Sequence, residues 1–391
     1  MPSKRLALFL DGTWNTVTDN TNVYRMKSLC ACGSDQVVYY SPGVGTQYGE
    51  KFTGGIFGYG LDTEVIQAYE WIVDNYVAGD RIFLFGFSRG AFTARSLAGF
   101  ISKCGLLNPG SPMSLTQLYA RYKKRVQPSI LHLQNTATDS LSLEDQWLKK
   151  YSMPIPLWFQ GVFDTVGALG VPFAHIPIIS RSNYGFLETD LRINDSRAYH
   201  AMAIDEHREA FAPTLWTKSV EAGVPSPPPR PLEEVEQRWF VGAHADVGGG
   251  YANGLLAQVP LVWLMQKAVV HGLVFKGTAV IDGDENKAGI HDSFGDMAGG
   301  FYRACKLFRP YYRAIGVGPV IKDTTTTTTI NETIDVSVFD RWQKDGDYRP
   351  ANLVDWAKRH QVDTGSLRDS VGADTLAVVP PPTAAPAAAI P

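Results

Sequence analysis

The segment GFSRG at 86–90 could place a nucleophilic serine at the end of a strand. The apolar run RIFLFG at 81–86 predicts a buried strand, and RGAFTARSLAGFISKCG at 89–105 predicts a helix that ends at glycine. A nucleophile on such a turn needs small residues two positions before and after it, because larger side chains would collide with the backbone. Glycines occupy both positions. We therefore interpret Ser88 as the nucleophile, against the alternative of an ordinary glycine-rich turn.

A nucleophilic serine needs a base, and the base needs a carboxylate that orients it. Asp164 follows the strand-like LWFQGVF at 157–163, and His244 follows the strand-like QRWFVG at 237–242. The carboxyl ends of parallel strands meet at the ligand face of an open α/β sheet. The order serine, aspartate, histidine along the chain is typical of α/β-hydrolases. These residues therefore predict a triad of Ser88, Asp164 and His244.

Other histidines could take the part of the base. The pattern predicts a helix around 192–210 that would carry His200 and His207, and helical surface positions favour salt-bridged or capping roles. His175 follows the Asp164 loop and could line a pocket, or it could belong to an ordinary loop.

Two acids rival Asp164, namely Asp205 and Asp246. Asp246 stands two residues after His244, and we interpret it as holding that loop together through backbone hydrogen bonds. No second cluster of ligands accompanies it in the sequence, so we expect neither a bound metal nor another cofactor.

The apolar run at 5–10 is followed by Asp11, Gly12 and Thr13. A phosphatase of the haloacid-dehalogenase type would require an aspartate two positions before Asp11, where this chain has phenylalanine. The loop after an early strand supplies one oxyanion-hole amide in α/β-hydrolases, and the residue after the nucleophile supplies the other. We therefore predict an oxyanion hole made by the amide of Arg89 and that of Gly12 or Thr13, with Asp11 holding the loop.

The composition excludes several classes of protein. The chain has 391 residues, a net charge of −3 and no basic stripe, which argues against nucleic-acid binding. Four cysteines are too few for a disulfide framework in a chain of this length. The apolar stretch at the start is too short for a secretory signal, and no run approaches the ~18 apolar residues of a membrane span. We expect a protein that is cytoplasmic as synthesised.

Strands that alternate with helices predict an α/β fold, with a mostly parallel central sheet and helices on both faces. We expect one catalytic domain over 1–370, with inserted cap segments near 107–150, 172–235 and 275–350, where the hexathreonine run TTTTTT could be a strand or a mobile loop. The proline- and alanine-rich tail from 371 to 391 is expected to be disordered.

An apolar pocket for an acyl chain would need aromatic or aliphatic side chains near the nucleophile. The candidates, each of which could instead pack in the core, are Phe57, Tyr59, Trp158 and Phe173.

Seven blocks between about residues 5 and 265 follow one another in the order of a known family. They resemble the catalytic domain of the type VI secretion lipase effectors of the first class, and they read LFLDGTWN, SPGVGT, GGIFGYGLDTEVIQAYEWI, GDRIFLFGFSRGAFTARSLAGFI, VFDTVGALG, AYHAMAIDEHREAF and GAHADVGGGY.

The resemblance implies an α/β-hydrolase fold and ester hydrolysis of glycerophospholipids of the phospholipase A type. It also implies a Ser–Asp–His triad that falls on Ser88, Asp164 and His244. The partners to expect are a lipid or other ester, transient contact with a membrane surface, and a secretion-machine or immunity protein, with export that needs no signal peptide. Two alternatives stay open: a soluble carboxylesterase or lipase that cleaves other esters, and a non-catalytic scaffold that binds a partner protein.

Overall fold

The computed structural model describes residues 3–12, 19–43, 56–124, 127–166, 197–221, 228–281, 283–296, 303, 306–307, 309–322 and 325–382. Its strands are β1 (Arg5–Leu10), β2 (Gln36–Ser41), β3 (Arg81–Phe87), β4 (Leu106–Leu107), β5 (Ser152–Met153), β6 (Phe159–Phe163), β7 (Ala198–Ala203), β8 (Thr217–Glu221), β9 (Val235–Phe240), β10 (Val320–Lys322), β11 (Thr325–Thr329), β12 (Glu332–Ile334) and β13 (Val371–Gly372).

Its helices are α1 (Asn22–Leu29), α2 (Ile56–Asn75), α3 (Arg89–Cys104), α4 (Leu115–Lys123), α5 (Ile130–Gln134), α6 (Leu143–Tyr151), α7 (His244–Gly248), α8 (Gln258–Val270), α9 (Ser293–Asp296), α10 (Val336–Lys344) and α11 (Ala351–His360).

The central sheet has, within the described residues, the strand order β13-β12-β9-β7-β6-β3-β1-β2. Every pair in it is parallel except β12 with β13. The register pairs Leu10 with Gly86 and Phe87 with Phe163, so β1, β3 and β6 end side by side. The predicted α/β class with a mostly parallel sheet is confirmed.

Side chains of β1 enter two separate apolar clusters. Leu6, Leu8 and Leu10 pack into the cluster that holds α2 and α3. Ala7 and Phe9 pack into the cluster that holds α1 and α8. Because both faces of a parallel sheet are covered by helices, such a strand reads as a continuous apolar run, which is why the segment could be recognised from sequence.

The predicted helix around 192–210 is wrong over its middle, where the structure has β7. All six residues of β7 are buried, because the strand lies between β6 and β9. The alternation that marks a half-buried strand is therefore absent. His200 is buried on this strand, and the Nδ1–H of His207 lies 3.1 Å from the carbonyl of Tyr311. Neither histidine is the helical surface residue that was expected.

The predicted cap segments are largely part of the main fold. The segment 107–150 forms α4, α5 and α6, which pack into the cluster around α3. The segments 172–235 and 275–350 contribute β7 and β12 to the central sheet. Thr325–Thr329 of the threonine run form β11, which pairs with β8 and β10. Short strands buried on both faces carry no alternating pattern, and this explains why they were interpreted as insertions.

The predicted tail begins too early in the sequence. β13 pairs with β12, and the N–H of Val379 donates to the carbonyl of Ser370 at 2.8 Å. The chain is thus tied to the sheet beyond 371, while 383–391 lie outside the described residues. The single-domain organisation over 1–370 stays a prediction.

Candidate active site

The turn between β3 and α3 holds Ser88 in an unusual backbone conformation. Its φ and ψ angles are 57° and −120°, a region that costs a non-glycine residue of order 1–3 kcal/mol. A Cβ on Gly86 would lie 2.4 Å from the carbonyl oxygen of Gly90, and a Cβ on Gly90 would lie 2.2 Å from that of Leu10. Both contacts are impossibly short. The two glycines are therefore required for this sharp turn, and they let α3 start directly beside β1.

Asp164 lies at the carboxyl end of β6, the strand next to β3. The N–H of Ser88 donates to the carbonyl of Phe163 at 3.1 Å, which connects the serine turn to the aspartate turn. The Asp164 side chain is fully buried, and its Oδ1 accepts the N–H of Ala203 at 3.0 Å. Asp164 also has a positive φ of 37°, a second strained residue at this edge of the sheet.

His244 is the first residue of α7, which follows β9 after a short turn. Its Nδ1 lies 2.5 Å from Oδ2 of Asp164. This hydrogen bond assigns the ring proton to Nδ1 and leaves the lone pair on Nε2. The imidazole packs at 4.7 Å from the ring of Phe87 and at 5.0 Å from that of Phe211. The predicted acid and base are therefore in direct contact.

Ser88 and His244 are connected through Phe87, whose ring lies against the imidazole. Within the described residues, the hydrogen bond of the His244 ring is that of Nδ1 with Asp164, and none joins its Nε2 to the Ser88 hydroxyl. Hydrogen bonds between nucleophile and base are often long before substrate binds, so this geometry is compatible with a triad. Gly248 supports the contact, because a Cβ there would lie 1.9 Å from the Phe87 ring.

Burial and neighbouring charges set the charge states of this pair. Burial alone would raise the pKa of Asp164, but the Arg313 guanidinium and the His244 hydrogen bond outweigh it and hold the pKa well below its usual range. Burial lowers the pKa of His244, and it outweighs the opposing effect of Asp164. At neutral pH the site therefore holds an ionised carboxylate and a neutral imidazole, the states that a general base requires.

The rival acids have other partners. Asp205 accepts the N–H of Gly242 at 2.8 Å and the hydroxyl of Tyr348 at 3.2 Å, and burial raises its pKa to about 6. Asp246 accepts the N–H of Ala243 at 3.0 Å and lies 2.6 Å from Nδ1 of His291. The expectation that Asp246 holds the loop through backbone hydrogen bonds is confirmed.

The loop after β1 is held by Asp11, as predicted. Its carboxylate accepts the hydroxyl of Thr21 at 2.6 Å, that of Tyr40 at 3.1 Å and the N–H of Gly12 at 2.7 Å. The Gly12 amide is thus already donated, which makes it a poor oxyanion donor. Thr13 lies outside the described residues.

The amide of Arg89 belongs to the first residue of α3, next to Ser88 and at the positive end of the helix dipole. Its role in an oxyanion hole stays a prediction.

The predicted pocket residue Trp158 is in the wrong place. It precedes the first residue of β6, whereas Asp164 follows the last one. At ~3.3 Å per residue the two lie about 20 Å apart along the strand. The Trp158 indole donates to the carbonyl of His271 at 2.8 Å, and the guanidinium groups of Arg81 and Arg197 lie 4.2 and 4.3 Å from its ring centroid. The side chains of Phe57 and Tyr59, and all of Phe173 and His175, lie outside the described residues.

His200 contacts the backbone of the turn that follows Asp164. Its Nε2 accepts the N–H of Thr165 at 3.0 Å, and its Nδ1 faces Oε1 of Gln237 at 3.4 Å. Burial lowers the pKa of His200 to about 3, so the ring stays neutral and keeps its acceptor. His200 therefore orders the turn that carries Asp164.

Residues 4–267 match the family model described as T6SS, Phospholipase effector Tle1-like, catalytic domain. The match covers more than half of the chain. The chain belongs to this family.

This Tle1-like chain is also similar to individual proteins. It is 30% identical over 237 residues to the uncharacterised protein YEL023C of Saccharomyces cerevisiae, over 55% of this chain and 33% of that protein. The chain thus spans about a third of that relative's length. A structure of the Tle1 effector bound to the VgrG spike is similar at a TM-score of 0.43 and 16% identity, covering 80% of this chain and 81% of that one.

A crystal structure of an uncharacterised protein from Pseudomonas aeruginosa is similar to the Tle1-like chain at a TM-score of 0.41 and 16% identity. That match covers 77% of this chain and 51% of the other.

Within the described parts of the Tle1-like chain, no helix combines the length and the apolar character needed to cross a bilayer. The histidine, cysteine and acidic side chains of those parts form no group of three or more that could hold a metal ion.

Several functional neighbours of the site could not be recognised from the sequence of this Tle1-like chain. Glu206 accepts the N–H of His244 at 3.2 Å, and Arg208 outweighs burial and lowers the Glu206 pKa to about 2. Phe211 packs on the imidazole. Arg313, which lies beyond the matched region, contacts both oxygens of Asp164. Glu206, Arg208 and Phe211 fall within the block AYHAMAIDEHREAF, but nothing in that block assigns them to His244, and Arg313 lies outside all seven blocks.

Proposed function

We propose that the chain is a serine hydrolase that cleaves carboxylic esters of lipids through an acyl-enzyme, with Ser88 as nucleophile, His244 as base and Asp164 as orienting acid. One observation carries the proposal: the 2.5 Å contact of His244 Nδ1 with Asp164, directly beside a strained serine turn at the same edge of the sheet. A base, an acid and a serine turn together form the arrangement required for nucleophilic catalysis.

In the acylation step, Nε2 of His244 takes the proton of the Ser88 hydroxyl while the oxygen attacks the ester carbonyl. The C–O bond to the alcohol then breaks, and the imidazolium gives its proton to the leaving alcohol. The amide of Arg89, with that of Thr13, would stabilise the oxyanion. Because burial keeps the imidazole neutral at pH 7, the base is ready to accept a proton.

In the deacylation step, His244 removes a proton from water, and the hydroxide attacks the acyl carbonyl. The bond to the Ser88 oxygen breaks, the serine regains its proton and a fatty acid leaves. Asp164 remains ionised throughout and stabilises the imidazolium that forms in each step.

The substrate class that we propose is a glycerophospholipid cleaved at an acyl ester, the phospholipase A type of reaction. The family description supports this class, since it names phospholipase effectors. The same description supports a secretion machine as the partner in export and a transient contact with the target membrane. Delivery to a target cell or its periplasm, and an immunity protein that blocks the site, belong to the same proposal.

The test uses a fluorophosphonate probe, which phosphonylates an activated serine, followed by intact-mass measurement. Wild-type protein is compared with Ser88→Ala and with Ser96→Ala, a control in the same helix. The Ser96 hydroxyl is buried and donates to the carbonyl of Phe92 at 2.8 Å. We expect one adduct on wild type and on Ser96→Ala, and none on Ser88→Ala.

Unlabelled wild type, Ser96→Ala and Ser88→Ala would then be assayed on phosphatidylethanolamine vesicles and on a short-chain ester. Release of lysophospholipid and fatty acid that is lost in Ser88→Ala would support the phospholipase A proposal. Faster cleavage of the short-chain ester would favour a soluble carboxylesterase. Folded wild-type protein without adduct or turnover would refute the proposal and favour the partner-binding scaffold.

A further inference from the structure

Arg313 is a fully buried arginine whose guanidinium lies on the Asp164 carboxylate. One terminal nitrogen donates to Oδ1 of Asp164 at 2.6 Å and to the carbonyl of Ala203 at 2.8 Å. The other donates to Oδ2 of Asp164 at 2.9 Å and to the carbonyl of Phe211 at 2.6 Å. Four hydrogen bonds of this kind define the plane and the position of the group.

A serine–histidine–aspartate site does not need a buried cation on its acid. The negative charge of the acid stabilises the imidazolium, and a guanidinium in contact with the acid reduces that effect. Burying the arginine also carries a desolvation cost, which is repaid only when the geometry is good. The arrangement therefore calls for a specific role.

We propose that Arg313 is a positioning residue of the hydrolysis, which clamps both oxygens of Asp164 so that Oδ2 faces His244 and which tunes the basicity of the imidazole. The inference rests on the proposed function for its readout in activity. Arg313 lies outside residues 4–267, the part of the chain that matches the family model, so this positioning residue is supplied by the segment that follows the matched region.

The hydrogen bonds explain how the clamp would work. The Asp164 carboxylate has few other restraints: Ala203 donates one N–H to Oδ1, and Oδ2 is shared between His244 and Arg313. Without the guanidinium the carboxylate could rotate away from Nδ1. Arg313 also donates to the carbonyl of Phe211, whose ring packs on the imidazole. The Arg313 side chain therefore restrains both the Asp164 carboxylate and the aromatic residue that contacts His244.

Removal of this positive charge should raise the pH at which the imidazole loses its proton. An opposite charge within about 4–6 Å shifts a pKa by 1–3 units, and part of that shift passes to the coupled imidazole. The other charged or titratable groups near the pair belong to several elements. They are Glu206, which accepts the His244 amide, Arg208, which is paired with Glu206, Asp246 of α7, which is paired with His291, Asp205, which accepts the Gly242 amide, and the neutral His200, which accepts the Thr165 amide. All of them are unchanged in an Arg313 variant.

The experiment measures the rate of fluorophosphonate labelling of Ser88 against pH in wild type, Arg313→Gln and Arg313→Lys. Arg121→Gln is the matched control, because Arg121 is equally buried and is paired with Asp145 at 2.6 Å on a different face of the fold. We expect Arg313→Gln to move the midpoint upward by about one pH unit. Arg313→Lys keeps the charge but cannot hold both oxygens, so its midpoint should stay while its maximal rate falls at least about tenfold.

A purely structural role predicts a different result. Both Arg313 variants would then lose stability, as Arg121→Gln does, and the folded fraction would label with the wild-type midpoint and rate. That outcome would overturn the inference. If Arg313→Gln does not fold, Arg313→Lys is used for the test. A wild-type maximal labelling rate in Arg313→Lys would also overturn the inference.

A second measurement distinguishes failure of the proposed function from failure of this inference. If wild-type Ser88 is not labelled, the midpoint is measured by NMR titration of the His244 ring in the same variants. An upward shift in Arg313→Gln would still support the electrostatic part of the inference, and an unchanged titration would refute it.

Discussion

The Asp164–Arg313 pair allows a prediction in which stability and activity separate. Asp164→Asn removes the charge of the carboxylate but leaves a guanidinium that is fully buried without its counter-charge. Breaking a buried ion pair by neutralising one partner typically costs about 3–5 kcal/mol. We expect Asp164→Asn to lose that amount of unfolding free energy at pH 7 and about 10⁴-fold of the labelling rate, because the base loses its orienting carboxylate.

The double variant Asp164→Asn/Arg313→Gln should recover stability but not activity. Replacing both charged partners by neutral groups of similar size is much less costly than orphaning one of them. We therefore expect the double variant to be at least ~2 kcal/mol more stable than Asp164→Asn, while its labelling rate stays equally low. Urea unfolding followed by tryptophan fluorescence measures the first quantity, and the probe measures the second.

The pH dependence gives an independent check on the same pair. The pKa of Asp164 is held below its usual range in the folded state, so its contribution to stability is present above about pH 4 and is lost as the pH falls. The difference between wild type and Asp164→Asn should therefore narrow in acid. Additive free energies in the double variant, or a constant difference across pH 3–7, would contradict the claim that the two charges are coupled.

Three further outcomes are expected. Gly90→Ala should abolish labelling and destabilise the fold by more than about 3 kcal/mol, because its Cβ would lie 2.2 Å from the Leu10 carbonyl oxygen; wild-type stability by urea unfolding would refute this. Burial raises the pKa of Asp205 to about 6, so the protonated Asp205 side chain stabilises the fold at low pH and this contribution is lost as the pH rises through 6. The free energy of unfolding of wild type should therefore fall between pH 4 and pH 8. In Asp205→Asn, the same unfolding assay should show a fall that is smaller by about 2–3 kcal/mol. Trp158→Ala should lower the unfolding free energy by about 2 kcal/mol and leave the labelling rate unchanged, because Trp158 and Asp164 lie at opposite ends of β6. A tenfold slower labelling rate would show instead that Trp158 contributes to the site.

The serine turn could be predicted because all of its signals are local. The strand before Ser88, the helix after it and the two flanking glycines all lie between Arg81 and Cys104. Asp164 and His244 could be found for a related reason. Each follows a segment with strand character, LWFQGVF or QRWFVG, and parallel strands bring their carboxyl ends to one edge of the sheet.

The missing strands could not be recognised, because their environment is not local. β7 is buried on both faces between two neighbours, so its residues carry no alternation, and β13 has only two residues. Trp158 shows a different error. Aromatic character alone suggested a pocket, whereas its position before β6 already places it at the far end of a parallel sheet from the carboxylate.

The role of Arg313 is the feature of the site for which the sequence carries the weakest signal. An arginine in an irregular segment is expected at the surface. Its burial is made tolerable by a carboxylate 149 residues earlier in the chain, together with the carbonyls of Ala203 and Phe211. The triad pattern is complete by residue 250, yet the carboxylate at its centre has donors on three separate segments, at Ala203, His244 and Arg313. A fragment that ends at 267 would contain all three residues of the proposed triad, but it would lack the guanidinium and would leave the edge of β9 without β12. Recognition of the proposed triad and completion of the contacts around Asp164 therefore depend on different lengths of the chain.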